Sequence, residues 1–185
     1  MSDLIVIEGP QGVGKTNLAN YLRENIESSN LYRLSGIPDK TETGYVKNAR
    51  MYSELLRYLK SLEDTGMNLI FDRTFFTEYV YAKLGFKEYD FTVPYNHLLE
   101  EFLKLKFNIY YLALYLENTD LYEERLLREK AEYVKFNKKN SIRQQKEYLK
   151  VAEDLETKEK VKVLKVPMDD FKVGYEKINE FLNIK

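Results

Sequence analysis

The run Gly9-Pro10-Gln11-Gly12-Val13-Gly14-Lys15-Thr16 constrains this chain more than any other feature. It fits the pattern G-x-x-x-x-G-K-[ST]. It also stands between a β-branched apolar run, Leu4 to Ile7, and a segment where Leu18, Ala19, Leu22 and Ile26 recur at helical spacing. Strand, glycine-rich turn and helix in that order make an anion cradle. Small residues let the main chain wrap a phosphate closely, the turn amides point inward, and the helix N-terminus adds partial positive charge. Gln11, Gly12, Val13, Gly14, Lys15 and Thr16 are therefore the expected seat of a phosphate-bearing cofactor. Lys15 would neutralise the β and γ phosphate oxygens. The Thr16 hydroxyl would ligate Mg²⁺, a hard cation that prefers oxygen ligands.

Further strand-like runs follow at Leu31 to Leu34, Met67 to Phe71, Asn108 to Leu116 and Val161 to Val166. Helical patterns lie between them: Tyr45 to Leu62, Thr77 to Leu84, Tyr95 to Lys106, a stretch through Ile142, Tyr148, Ala152 and Leu155, and a last helix after the capping pair Asp169-Asp170. Alternation of this kind is the pattern of a parallel sheet covered on both faces, an α/β fold. The 185 residues contain no repeat or linker and read as a single domain, 1–185. There is no run of about 18 apolar residues and no export signal at the N-terminus, so the chain reads as cytoplasmic with no membrane partner. Zero cysteines exclude disulfides, thiolate metal sites and cysteine nucleophiles, and a sole histidine, His97, excludes a multi-histidine metal site. Lys and Arg total 29 against 30 Asp and Glu, a net charge of −1. That balance argues against nucleic acid as a partner, because a duplex binder draws on a basic surface.

The second candidate site is Asp72-Arg73, at the end of a strand-like run, and ligands of open α/β sheets gather beyond the carboxyl ends of strands. Asp72 would help hold Mg²⁺, and Arg73 would grip an oxyanion with parallel hydrogen bonds. The alternative is a surface ion pair at a strand end. A third feature is the basic segment from Arg125 to Arg143. Transfer of a phosphoryl group is helped by cations that close over its spreading charge, which singles out Arg125 and Arg128 as catalytic candidates. Against this stands a solvated helix face balanced by Glu123, Glu124, Glu129 and Glu132. Phe75, Phe76 and Tyr79 follow Asp72-Arg73 and are candidates to line an acceptor pocket.

With these residues in view, the chain resembles the thymidylate kinase and deoxynucleoside kinase branch of the P-loop kinases. Ile7-Glu8-Gly9 leading into Gly14-Lys15-Thr16 is similar to the family's opening. Asp72-Arg73-Thr74 with Tyr81-Ala82 resembles its Asp-Arg motif, Glu124-Arg125-Leu126-Leu127-Arg128 its lid, and Ile142-Arg143 with Tyr148-Leu149 and Ala152 the segment after the lid. The resemblance implies a three-layer P-loop NTPase fold: a five-stranded parallel sheet with helices on both faces and a short lid, about 120–142. It implies transfer of the γ-phosphate of ATP, with Mg²⁺, to a nucleotide or nucleoside, and commonly a homodimer. Gln11 stands where thymidylate kinases usually have an acid, Asn17 replaces a usual hydroxyl residue, and 35–39 lacks the Glu-Pro signature. The lid also lacks an Arg-Gly-Arg stretch.

A nucleoside hydroxyl must lose a proton to attack, whereas a monophosphate is already anionic. Without the signature glutamate, for which Asp39, Glu42 or Asp72 would have to substitute, the reading favours a monophosphate acceptor over a nucleoside. Other readings are a kinase of nucleic-acid 5′ ends, which would need a basic groove, and a non-catalytic nucleotide-binding regulatory protein. A switch NTPase would carry an Asn-Lys-x-Asp segment, which the sequence lacks.

Overall fold

The computed structural model describes residues 1–127 and 137–184. Arg128, Glu129 and Glu132, and with them the middle of the expected lid, lie outside the described residues. Five strands, β1 (Asp3–Glu8), β2 (Ser29–Arg33), β3 (Asn68–Asp72), β4 (Asn108–Tyr115) and β5 (Val161–Pro167), form one parallel sheet in the order β2-β3-β1-β4-β5. The helices are α1 (Lys15–Asn25), α2 (Glu42–Ser61), α3 (Phe75–Lys83), α4 (Thr92–Leu103), α5 (Leu121–Leu127), α6 (Lys138–Glu156) and α7 (Phe171–Leu182).

Successive residues of a strand face opposite sides of the sheet, so a strand buried on both sides must be apolar throughout. β1 obeys this: Leu4 and Val6 enter one core, with Leu69, Phe71, Tyr111 and residues of α2, α3, α4 and α6. Ile5 and Ile7 enter the other, with Ile70, Leu112, Leu114 and residues of α1 and α7. The edge strands relax the rule, as exposed Lys162 in β5 and exposed Arg33 in β2 illustrate.

The expected elements are all present, with shifted ends. Pro94, expected in the loop before the fourth helix, lies in its first turn, where a missing N–H removes no intrahelical bond. Of the capping pair only Asp170 caps α7, accepting from the N–H groups of Lys172 (2.9 Å) and Val173 (3.3 Å). Asp169 instead accepts from the N–H groups of Glu117 and Asn118 after β4, at 2.9 and 2.7 Å. Among the described residues no helix is long and apolar enough to cross a membrane.

Candidate active site

Sheet register puts the site together. Ile7 pairs with Asp72, and Asp72 with Arg33, so the carboxyl ends of β1, β3 and β2 lie level. The turn after β1 depends on missing side chains. At Gly9 a Cβ would lie 2.7 Å from the main-chain oxygen of Leu114, and at Gly14, where φ is +105°, it would lie 2.6 Å from the Phe171 ring. Val13 anchors the loop by burying its side chain in the core beside α1. The Lys15 ammonium donates to the Pro10 carbonyl at 2.7 Å, and the Thr16 hydroxyl donates to Asp72 Oδ2 at 2.9 Å.

Gln11, Gly12, Gly14, Lys15, Thr16, Asn17 and Arg73 line one cavity of about 110 Å³. That is smaller than a site for a whole drug-sized ligand and suits a few phosphate groups. Residues from both motifs thus share one cleft. Thr16 and Asp72 offer hard oxygen donors beside it, the donor set Mg²⁺ takes when it is bound together with phosphates. A wider groove of about 480 Å³ between α2 and α4, lined by Arg57, Lys60, His97 and Glu101 among others, takes no residue from the phosphate loop.

Arg73 has a left-handed backbone, φ 73°, which a long side chain adopts at a cost of about 1–3 kcal/mol and which clusters at functional sites. Two features hold it there. Its N–H donates to the Ile7 carbonyl at 3.1 Å, and the next residue is clamped by Glu8. Glu8 Oε1 accepts from the Thr74 N–H (2.7 Å) and hydroxyl (3.1 Å), and Oε2 from the Thr77 hydroxyl (2.6 Å). Thr77 also bonds the Tyr148 hydroxyl at 2.9 Å. Burial pushes the Glu8 carboxyl up to about 7, against the opposing pull of Thr77, Thr74, Arg73 and Lys15. The Arg73 guanidinium donates to the Gln11 side-chain oxygen and, at 3.4 Å, to the Tyr81 hydroxyl.

Arg125 is turned to the connection between β5 and α7. Its guanidinium donates to the carbonyls of Met168 (2.8 Å) and Asp169 (3.2 Å) and lies over the Phe171 ring, 4.5 Å from its centre. Phe75 and Phe76 are both fully buried in the core, where they stack on one another. Tyr79 lies flat on Tyr95, ring centres 3.9 Å apart. Asp39, considered as a base, is bonded to the N–H and hydroxyl of Thr41, which hold its carboxyl below the usual range.

Several site residues escaped the sequence reading. Ser141 and Gln144 of α6 reach the phosphate loop, Ser141 donating to the Gln11 carbonyl (3.1 Å) and Gln144 accepting from the Gln11 N–H (3.4 Å). Arg33, 52% exposed, extends to Asn20 and to within 4.0 Å of Asp72 Oδ2. Glu78, buried on α3 beside Lys87, carried the one available signal: a lone charge within the apolar face of a helix.

No protein-family model matches the sequence, and no curated protein matches it. Solved structures do. Thymidylate kinase from Candida albicans superposes with a TM-score of 0.67 at 17% identity, covering 98% of this chain and 92% of that one. The YorR protein from Bacillus subtilis, in complex with phosphorylated GDP, gives 0.67 at 21% identity, over 97% and 95%. Deoxyadenosine kinase from M. mycoides with bound dATP gives 0.62 at 18% identity, over 97% and 98%. This chain has the fold of the P-loop kinases. The parallel sheet with flanking helices agrees with the expectation drawn from the alternating pattern, and its five strands with what the resemblance implies.

Proposed function

We propose that this chain is an ATP-dependent kinase that moves the γ-phosphoryl group of ATP to a deoxynucleoside 5′-monophosphate. The observation that carries the reading is the shared cleft: Lys15 and Thr16 from the loop after β1, and Arg73 from the end of β3, face one small cavity, with Asp72 bonded to Thr16 at its edge. Lys15 would leave the Pro10 carbonyl for the terminal phosphates of ATP, adding its charge to that of the loop amides and the α1 N-terminus. Mg²⁺, held by Thr16 and Asp72, supplies charge neutralisation at the phosphates when bound. Arg73, oriented by Gln11 and Tyr81, would hold the acceptor phosphate. An acceptor phosphate oxygen forms the new P–O bond as the bond to the leaving ADP oxygen breaks. The attacking group is already ionised, so the step asks positioning and positive charge of the protein rather than a base.

Arg125 and Arg128 are proposed to close over the transferring group. For Arg125 this requires leaving the carbonyls of Met168 and Asp169. The test is to supply ATP and Mg²⁺ with a panel of deoxynucleosides and their 5′-monophosphates and measure ADP release. Transfer to monophosphates is the expected result. Transfer to nucleosides alone would move the assignment to a nucleoside kinase with Asp72 as the remaining candidate base, and ATP binding without transfer to any acceptor would favour the regulatory reading.

A further inference from the structure

Gln144 is a polar side chain where α6 packs: it is 1% exposed, on the face that also buries Ser141 and Tyr148. Its Oε1 accepts from the Gln11 N–H at 3.4 Å, which fixes the orientation of the amide, since turning it over would set two donors against each other. The Nε2 group is then buried with no partner among the described residues. A buried donor left unpaired is rare and costly, so a nearby acceptor that becomes available in another state of the site would hold it strongly.

The surroundings of Gln144 follow from bonds between helices. Thr77 of α3 meets the Tyr148 hydroxyl of α6 at 2.9 Å, and the Leu84 carbonyl just after α3 accepts from Arg143 at 3.1 Å. As the chain advances from Thr77 to Leu84, the partners on α6 retreat from Tyr148 to Arg143, so the two helices run antiparallel. Residues four apart share a helix face, which sets Tyr81 level with Gln144. The Tyr81 hydroxyl accepts from Arg73 at 3.4 Å, and Arg73 also donates to the Gln11 side-chain oxygen. Gln144, already bonded to the main chain of Gln11, thus stands at the junction of Gln11, Tyr81 and Arg73. It is not among the residues that line the small cavity, whereas Gln11 and Arg73 are, so its action on a ligand passes through them.

We infer that Gln144 is a positioning residue for the acceptor-phosphate arginine: its spare amide hydrogen takes over the Gln11 side-chain oxygen when Arg73 turns to the phosphate. The inference rests on the proposed function, in which Arg73 holds the acceptor phosphate. Without acceptor, Arg73 commits a charge-assisted hydrogen bond to Gln11. Turning that N–H to a phosphate releases the Gln11 oxygen, and an amide oxygen stranded without a donor weakens acceptor binding by the cost of its desolvation. Gln144 supplies the replacement from a side chain anchored to the same residue. The exchange needs a turn of the Gln11 side chain, leaves its main chain in place and transfers no proton. The loop amides and Lys15 take no part in it, so it bears on the acceptor and not on ATP.

The test measures KM and kcat, and separately equilibrium binding, for ATP and for whichever of dAMP, dCMP, dGMP and dTMP is the best acceptor. Gln144→Met, similar in length and without a donor, should raise the acceptor KM about tenfold, the worth of one hydrogen bond, while the KM for ATP stays within about twofold. Gln144→Glu keeps an acceptor for the Gln11 N–H but offers no donor, so it should raise the acceptor KM as well. In a Gln11→Ala background no side-chain oxygen needs a new donor, and Gln144→Met should then add nothing. An unchanged acceptor KM, equal rises for ATP and acceptor, a Gln144→Glu protein that behaves as the wild type, or the same rise with and without the Gln11 side chain each overturns the inference. The proposed function survives those outcomes as long as the wild type phosphorylates a monophosphate. If Gln144→Met does not fold, Gln144→Glu is read in its place in both backgrounds. If no monophosphate is phosphorylated or bound, the proposed function fails and the inference falls with it.

Discussion

Replacing Glu8 by Gln should remove a pH dependence from the stability of the fold. Glu8 is fully buried at the carboxyl end of β1, and burial raises its carboxyl from 4.5 to about 7. An acid with a raised pKa is held neutral by the fold while the unfolded chain ionises it. Between pH 4.5 and about 7 the native state therefore binds one more proton than the unfolded state, and stability falls as pH rises. At about 1.4 kcal/mol per pH unit the wild-type chain loses about 3 kcal/mol across that window, with no further loss from this group above it. Glutamine has nearly the same shape; its carbonyl accepts from the Thr74 N–H and hydroxyl and its amide donates to the Thr77 hydroxyl, without titrating. Urea unfolding of both proteins at intervals from pH 4.5 to 8 reads the difference directly, since contributions common to both cancel. The variant should gain on the wild type steadily with pH and level off above pH 7. A difference that stays flat, or that moves in favour of the wild type, refutes the account of Glu8 as a carboxyl held neutral by burial.

Lys15→Ala should cut turnover by about a hundredfold or more while leaving the urea midpoint near that of the wild type, because the ammonium would serve the phosphates of bound ATP rather than the core. Asp72→Asn should raise the Mg²⁺ concentration needed for half-maximal ADP release, with Thr16→Val acting in the same direction; an unchanged requirement would place the cation elsewhere. Gly9→Ala should destabilise the fold by about 2 kcal/mol or more in urea, since the new methyl group meets the Leu114 carbonyl of a central strand rather than a yielding side chain. Lys87→Met should cost about 3 kcal/mol, read as a lowered unfolding midpoint, because it strands the buried Glu78 carboxylate without its cation.

Local chemistry was readable from the residues alone. The β-branched run before Gly9, the glycines, the Lys-Thr pair and the periodic leucines after them define strand, turn and helix through contacts between near neighbours. The sequence therefore announced the glycine-rich turn after β1 and the helix that follows it. Asp72-Arg73 was visible for a similar reason, as a charged stop to an apolar strand. Side-chain partners across the fold were another matter. Whether Asp72 meets Thr16 depends on β3 pairing beside β1, and whether Gln11 meets Gln144 depends on how α6 crosses the sheet; these pairs are separated by 56 and 133 residues. Arg125 shows the limit most plainly. Its place in the basic segment from Arg125 to Arg143 suggested a cation over the phosphates, while nothing local showed that the β5–α7 connection offers it two carbonyls and an aromatic face. Gly36 belongs to the same class, since it meets Glu78 and Tyr52, which come from different elements, only through packing. Backbone conformation follows largely from sterics and periodicity within a few residues. The partner of a buried polar group is decided by whichever donor or acceptor the assembled layers bring within reach.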